Sequence, residues 1–406
     1  MILSIFEIGL LGITGFFLGY LGCLSILALL MPEQRSGGRR PARRFAVVIP
    51  AHNEETGIEP TLRSLSALDY PRDLYRVVVI ADNCTDRTAE KARACGATVY
   101  ERTDQVRRSK GYALRWGFDL LLPQQPEYDA YVVVDADSIV SKNFLMVMDS
   151  YLEQGSEAIQ SSDMVSPNPG AWSSEVTRLG FTLYNFIRPL GRKRIHCPAG
   201  IRGNGMCFSA KVLKQVPWST YSLNEDLEYG LILLLHDVYV DFAPKAVVLA
   251  TMPAKAQQAE SQRARWEGGR FAVIRRYSRP LLVQSIKRFS FRYFDAFVDL
   301  VTPPFVNIFG FGVLLVICNL VLWLAGVPSA GLYVILALVV VFFGLVHVIV
   351  GLFAARADAG LYRAFFYLPR YAFWKLYLYS KVVQRGWNKE WIRTARDQAL
   401  PHPGNK

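Results

Sequence analysis

The chain has 406 residues, 51% of them apolar, and its 46 Lys and Arg outnumber 34 Asp and Glu to leave a formal net charge of +12. That length has room for a sizeable core. No recognisable nucleic-acid module accompanies the positive charge, much of which stands beside long apolar runs, so nucleic acid is excluded as a partner and anionic lipid headgroups are favoured. Cys23, Cys84, Cys95, Cys197, Cys207 and Cys318 lack metal-ligand spacing, which excludes a zinc module, and in a reducing cytoplasm no disulfides are expected.

Residues 2–31 are almost free of charge, with only Glu7 interrupting, a run long enough to cross a bilayer core of roughly 30 Å as a helix. No basic residue precedes it and no small-residue cleavage site ends it, so a retained anchor over residues 1–32 is expected rather than a cleaved signal. Arg35, Arg39, Arg40, Arg43 and Arg44 follow. The positive-inside rule puts them in the cytoplasm and the amino terminus outside.

From residue 45 to about 275 short apolar runs alternate with helical patterns. The runs at 45–49 and 77–80 read as buried strands, and 59–68 and 88–94 as the helices between. Repetition of that unit predicts an α/β domain over residues 45–279, with a mostly parallel sheet and helices on both faces. Ligands collect at the carboxyl ends of such strands. Pro50-Ala51-His52-Asn53-Glu54, Asp82-Asn83 and Asp135-Ala136-Asp137 each follow a predicted strand, so three loops are expected to converge on one pocket.

Leu282, Ile286, Phe289, Tyr293, Phe297 and Leu300 repeat at helical spacing, with Lys287, Arg288, Arg292 and Asp295 between. They predict an interfacial amphipathic helix over residues 280–304, an ordinary helix packed on the soluble domain being the other reading. Apolar runs at 305–324 and 333–353, joined by a Gly- and Pro-containing turn, predict a transmembrane hairpin over residues 305–354. Residues 361–382, aromatic and dotted with Arg and Lys, predict a second interfacial helix within 355–406.

Asp137, with help from Asp135, offers hard oxygen ligands that suit Mg²⁺ or Mn²⁺ bridging phosphate oxygens, although two acids after a strand also make a turn and a helix cap. Asp226 falls in the first turn of a helix whose apolar face is Leu227, Leu231 and Leu234, where a lone carboxylate can take a proton from a hydroxyl. For Glu225 and Glu228, complementing the helix dipole is explanation enough. Gln262, Arg265 and Trp266, spaced i, i+3, i+4, present one helical face with an amide, a guanidinium suited to phosphate and an indole on which a sugar ring can rest. Lys110, in Ser109-Lys110-Gly111-Tyr112-Ala113, is a further candidate for a diphosphate, or a solvated lysine at a helix start.

On these residues the chain resembles a family 2 inverting glycosyltransferase of the membrane-embedded group that includes cellulose, chitin and hyaluronan synthases. Asp135-Ala136-Asp137, Glu225-Asp226 and Gln262-x-x-Arg265-Trp266 stand in that family's order over residues 45 to about 277. The resemblance implies a GT-A, Rossmann-like nucleotide-diphospho-sugar transferase domain accompanied by transmembrane and interfacial helices, with a UDP-sugar as donor. It places Glu54 near the uridine, Asp82 with Asn83 at base and ribose, Lys110, Asp135, Gln262, Arg265 and Trp266 around the donor, Asp137 and Asp135 on the cation, and Asp226 as the base. The second acid of the Asp82 pair is here an Asn. Gly203-Asn204-Gly205 corresponds to a loop near the acceptor, with residues 197–207 along its channel, or is simply a Gly-rich turn. Residues 391–396 resemble a segment that covers the bound nucleotide.

The implied reaction is one in-line displacement giving a β-linked product. Three spans favour a lipid or short-glycan acceptor, in cell-surface glycan or glycolipid synthesis. The alternative is a processive polysaccharide synthase that exports its polymer, alone or with a homo-oligomer or export partner. A catalytically inactive membrane scaffold is the remaining reading, against which the intact acids stand. The expected location is the cell inner (plasma) membrane, multi-pass, with the catalytic domain cytoplasmic.

Overall fold

The computed structural model describes residues 2–32, 40–125, 127–168, 171–250 and 260–385. At its centre lies one eight-stranded sheet of β1 (Phe45–Ala51), β2 (Tyr75–Asp82), β3 (Thr98–Arg102), β4 (Ala130–Val133), β5 (Ser138–Val140), β6 (Ala158–Val165), β7 (Met206–Ser209) and β8 (Val240–Ala250), in the order β3-β2-β1-β4-β7-β6-β8-β5. The β3-β2-β1-β4 half is parallel throughout, as is β6 with β8. By contrast β7 runs antiparallel to both neighbours and β5 antiparallel to β8. The sheet is mostly parallel, as βα alternation predicts, with β7 and β5 making it a mixed one. Alternation breaks where the chain spends residues 172–194 on consecutive helical segments before returning as β7.

The near-continuous apolar run of β1 follows from burial on both faces. Ala46 and Val48 join Val78, Ile80, Tyr131 and Val133 in one core, under the helix Lys110–Leu121. Phe45, Val47 and Ile49 join Val79, Val132 and Val134 in the other, under Ile58–Ser66 and Phe144–Glu153. Each such side chain contributes about 1.5–3 kcal/mol of transfer free energy.

Three helices are long and apolar enough to cross a membrane: Ile5–Leu29, Phe305–Leu324 and Ala330–Ala354. The first packs along the third, with Leu18, Tyr333, Ala337 and Val340 in one cluster. Most of their other large apolar side chains face outward, among them Ile317, Leu324 and Phe342. The soluble part is joined to this bundle by the helix Arg188–Arg194, where a Cβ on Gly191 would stand 2.2 Å from the carbonyl oxygen of Leu24.

Two elements differ from expectation. The helix Glu260–Lys287 runs through Pro280 and across the expected domain boundary at 279, because Val273, Tyr277 and Leu281, one turn apart, bury against Leu231 and Leu234 of Glu225–Leu235. The single amphipathic helix expected over 280–304 is divided: the chain turns at Phe289, whose φ is +50°, and restarts as Phe291–Val301. Ile286, Phe289 and Phe291 are exposed, while Asp295, expected on the polar face, is buried against Arg192 at 2.7 Å.

Replacing Gly191 with Ala forces the two helices apart and is expected to destabilise the fold by about 1–3 kcal/mol. A detergent-solubilised thermal melt measures it, and an unchanged midpoint would show that this contact is not close.

Candidate active site

The carboxyl ends of β1, β2 and β4 open into a cavity of about 1010 Å³. It is lined by Glu54, Asp82, Lys110, Asp135, Asp137 and Asp226, so six of the predicted site residues share one space.

On the β1–β2 side, the loops are locked to one another. His52 Nδ1 lies 2.7 Å from the Asp82 carbonyl oxygen and carries the proton there. Asn53 and Asn83, both at positive φ, accept from the backbone N–H of Thr85 and Asp104 at 2.7 and 2.9 Å. The Glu54 backbone N–H is held by Thr88 Oγ1 at 2.8 Å. Asp82 is buried and already ion-paired with Arg102, Nη1 to Oδ1 at 2.6 Å. Its second oxygen is left for a ligand. Arg102, at the end of β3, was not singled out by the sequence and has no local signal.

At the β4 end, Lys110 Nζ donates to Asp135 Oδ1 and to the Gly203 carbonyl, each at 2.5 Å. Burial works against its charge, but Asp135 and Glu225 hold Lys110 above the ordinary lysine range, so it stays an ammonium. Asp135 is thus paired with lysine, and Asp137 lies beside Gly57 and Ser138 Oγ. Among the described residues no three His, Cys, Asp or Glu side chains converge as a ready metal cage. A Mg²⁺-type site of one or two carboxylates completed by substrate phosphates needs no such cage.

The helix Glu225–Leu235 brings Glu225 and Asp226 into the cavity from the opposite wall. Burial, then the Asp226 charge, push Glu225 up to about 7, and burial also raises Asp226, with Lys110 and Arg202 pulling the other way. Gly203 is obligatory beside it: its φ is +86°, and a Cβ there would meet Asp226 Oδ2 at 2.8 Å. Glu228, read as a dipole partner, is instead buried and accepts from Arg276 at 2.8 Å and the Tyr277 hydroxyl at 2.9 Å, pinning the neighbouring helix.

Of the stretch 197–207, residues 201–204 line the cavity, and Cys197, Gly205 and Cys207 do not. Asn204 Oδ1 accepts from the Asp135 N–H at 3.0 Å and its Nδ2 donates to Ser138 Oγ at 2.9 Å. Gln160 holds the loop from below, donating to the Asn204 carbonyl and accepting from the Arg202 N–H. Asp163, three residues on, is buried in the cavity wall, hydrogen-bonded to Asn185 and Asn204, and raised well above the ordinary carboxylate range by burial and then by the Asp135 charge. The polar stretch Gln160-Ser161-Ser162-Asp163 inside an otherwise apolar strand was the signal for both.

Gln262, Arg265 and Trp266 lie on Glu260–Lys287, but their side chains are outside the described residues. Glu267 and Arg270, which follow on the same helix, line the cavity. Residues 391–396 are outside the described residues too.

Residues 41–269 match a family model described as "Glycosyltransferase like family 2". The chain is similar to the probable glycosyltransferase YdaM of Bacillus subtilis, 23% identical over 263 residues that cover 63% of this chain and 61% of that one. It is also similar to the beta-monoglucosyldiacylglycerol synthase of Synechocystis sp., 27% identical over 56% of this chain and 48% of that one. The chain thus spans about half to three-fifths of the length of these curated relatives. Among solved structures it resembles the mannosyltransferase PcManGT from Pyrobaculum calidifontis, in complex with GDP-Man and Mn²⁺, with a TM-score of 0.46, 14% identity, and coverage of 82% of this chain and 98% of that one. A GT-A-like α/β domain carries the site, and since the family match runs from before β1 to the helix that borders the cavity, the chain belongs to glycosyltransferase family 2.

Proposed function

We propose that this protein transfers a sugar from a UDP-sugar to a hydroxyl of a lipid or short-glycan acceptor, by one in-line displacement that inverts the anomeric centre and leaves a β-linkage. The observation that carries this reading is the meeting, in one cavity, of the Asp135–Asp137–Lys110 group with the separately mounted Glu225–Asp226 pair. Those are the two functions the reaction requires: neutralisation of a leaving diphosphate and removal of a proton from the attacking oxygen.

Asp226 takes the proton. Burial raises both carboxyls of the pair, Glu225 to about 7, so near neutrality the two share a proton and the form with Asp226 ionised is the one that acts as base. Asp137, with Asp135 beside it, would hold Mg²⁺ or Mn²⁺, which when bound neutralises the diphosphate. Lys110 adds a fixed positive charge, and Glu54 and Asp82 hold the nucleoside end. By the family resemblance, Gln262, Arg265 and Trp266 would contact the donor.

The three apolar helices cross the inner membrane and Arg35 to Arg44 keep the catalytic domain on the cytoplasmic side. A lipid acceptor is favoured because the cavity continues from Asp226 to Leu21, Phe305 and His347, on the three apolar helices. The Synechocystis relative is itself named for a glucosylated diacylglycerol.

Labelled UDP-sugars, incubated with the purified protein in lipid, are expected to give a product one sugar longer than its acceptor; a ladder or high polymer would sink the single-transfer reading. Asp226→Asn should lower transfer by about 10²–10⁴-fold while leaving donor affinity nearly unchanged, and near-normal turnover would discard Asp226 as base. Asp137→Ala should weaken UDP binding in the presence of Mn²⁺, as measured by calorimetry with and without the metal. Because the base must be ionised and burial holds the pair's proton above the ordinary carboxylate range, kcat/KM should rise with pH through a limb above that range. Glu225→Gln removes the like charge and should move that limb to lower pH; a limb that stays in place would unlink the pair.

A further inference from the structure

The cavity has two poles. At the strand ends it is acidic; at its membrane end it is lined by Arg188, Arg202 and Arg270, gathered around one aromatic ring. Their guanidinium carbons stand 4.8, 4.2 and 5.8 Å from the ring centroid of Tyr184. Tyr184 and its neighbour Asn185 belong to a π-helical stretch, Thr182–Ile187, that turns both toward the cavity.

These arginines are incompletely satisfied. Asp299 receives Arg188 at 2.6 Å, Arg192 at 3.0 Å and Arg202 at 3.7 Å, while Asp295 is taken by Arg192 at 2.7 Å. Arg270 has no carboxylate in reach among the described ion pairs; it donates to the Tyr184 hydroxyl and to the backbone carbonyls of Asp299, Leu300 and Thr302. Lys375 and Glu267, on the same wall, cancel each other at 2.8 Å. Among the described ion pairs, Arg188, Arg192 and Arg202 therefore share two carboxylates, and Arg270 feels Asp299 and Glu267 only through space. Arg188 and Arg202 are 5% and 9% exposed, and the Nε of each is buried with no hydrogen-bond partner among the described residues. An orphaned N–H on a buried cation is costly unless an anion completes it. Tyr184 reports the same local field: although burial works the other way, Arg202 and Arg270 hold its phenol below its ordinary value.

We propose that Arg188, Arg202 and Arg270 form a subsite for a phosphate group carried by the lipid acceptor, whose chains lie along Leu21, Phe305 and Val306 and whose hydroxyl reaches Asp226. This rests on the reading of the chain as a transferase to lipid. Arg202 directly precedes Gly203, which lies against Asp226, so a phosphate held by the arginines stands next to the base, and competition with UDP tells it from the donor's phosphates. Guanidinium forks suit phosphate oxygens, and the apolar lining next to them suits a lipid and not a free ion.

The test uses the full-length protein in neutral detergent, with dihexanoylphosphatidylglycerol, dihexanoylglycerol, inorganic phosphate and UDP as probes in calorimetry. The phospholipid should bind roughly tenfold or more tighter than the neutral lipid, Arg202→Gln should erase the difference, and UDP should not displace the phospholipid. Equal affinity for the two lipids overturns the proposal. So does inorganic phosphate binding as tightly as the phospholipid, which makes the site one for a free ion, or displacement by UDP, which assigns the arginines to the donor. Should Arg202→Gln not fold, the wild-type comparison decides alone, and Arg202→Lys, which keeps the charge but not the fork, should retain part of the preference. UDP release from donor in the same wild-type preparation separates the two readings: turnover without phosphate preference removes this subsite and leaves the transferase standing.

Discussion

A buried ion-pair network joins the catalytic domain to the apolar helices, and the position of everything else follows from it. Asp295 and Asp299 project from Phe291–Val301 into Arg188, Arg192 and Arg202, all nearly inaccessible to water. Removing one partner from such a pair strands the other charge at a cost of about 3–5 kcal/mol, so the helix is committed to this one seat. Tyr20, on the first apolar helix, donates to Asp295 at 2.9 Å and extends the same network upward. One cavity can therefore run without interruption from the strand ends to Leu21 and His347.

At the other end of that cavity the governing fact is crowding of like charge. Burial first, and then the charges of Asp135 and Asp226, raise the proton affinity of Asp163 and Glu225, and Lys110 is the cation that opposes the rise. A diphosphate with its counter-cation would enter a region where charges are already balanced by the protein, and where an exchange of partners at Asp135 and Lys110 is the natural consequence of binding. The opposing polarity of the two ends gives the cavity a direction, with the proposed donor at the acids and the proposed acceptor phosphate at the arginines.

Much of this was legible before any coordinates. The βα alternation, the loops after β1, β2 and β4, the spacing of Asp135, Asp137, Asp226 and the Gln262 group, and the three apolar runs are local patterns, and local pattern is what a linear sequence records. The misreadings share one cause. One amphipathic helix over 280–304 was expected from periodicity alone, yet burial of Tyr277 and Leu281 carried the preceding helix through Pro280, and the Asp295–Arg192 pairing drew an apparently solvent-facing acid inside. Arg102, Gln160 and Asp163 escaped notice because each acts on a residue far away in the chain.

What the sequence determined by itself was the fold class, the family and the acids, since these depend on periodicity and on short ordered motifs. Only the tertiary structure decided that Asp135 is held by Lys110, that Glu225 and Asp226 are buried together, and that Arg188, Arg202 and Arg270 converge on Tyr184. Proton affinities and unsatisfied donors depend on distance and on exclusion of water, and neither quantity exists until residues remote in sequence are packed against each other.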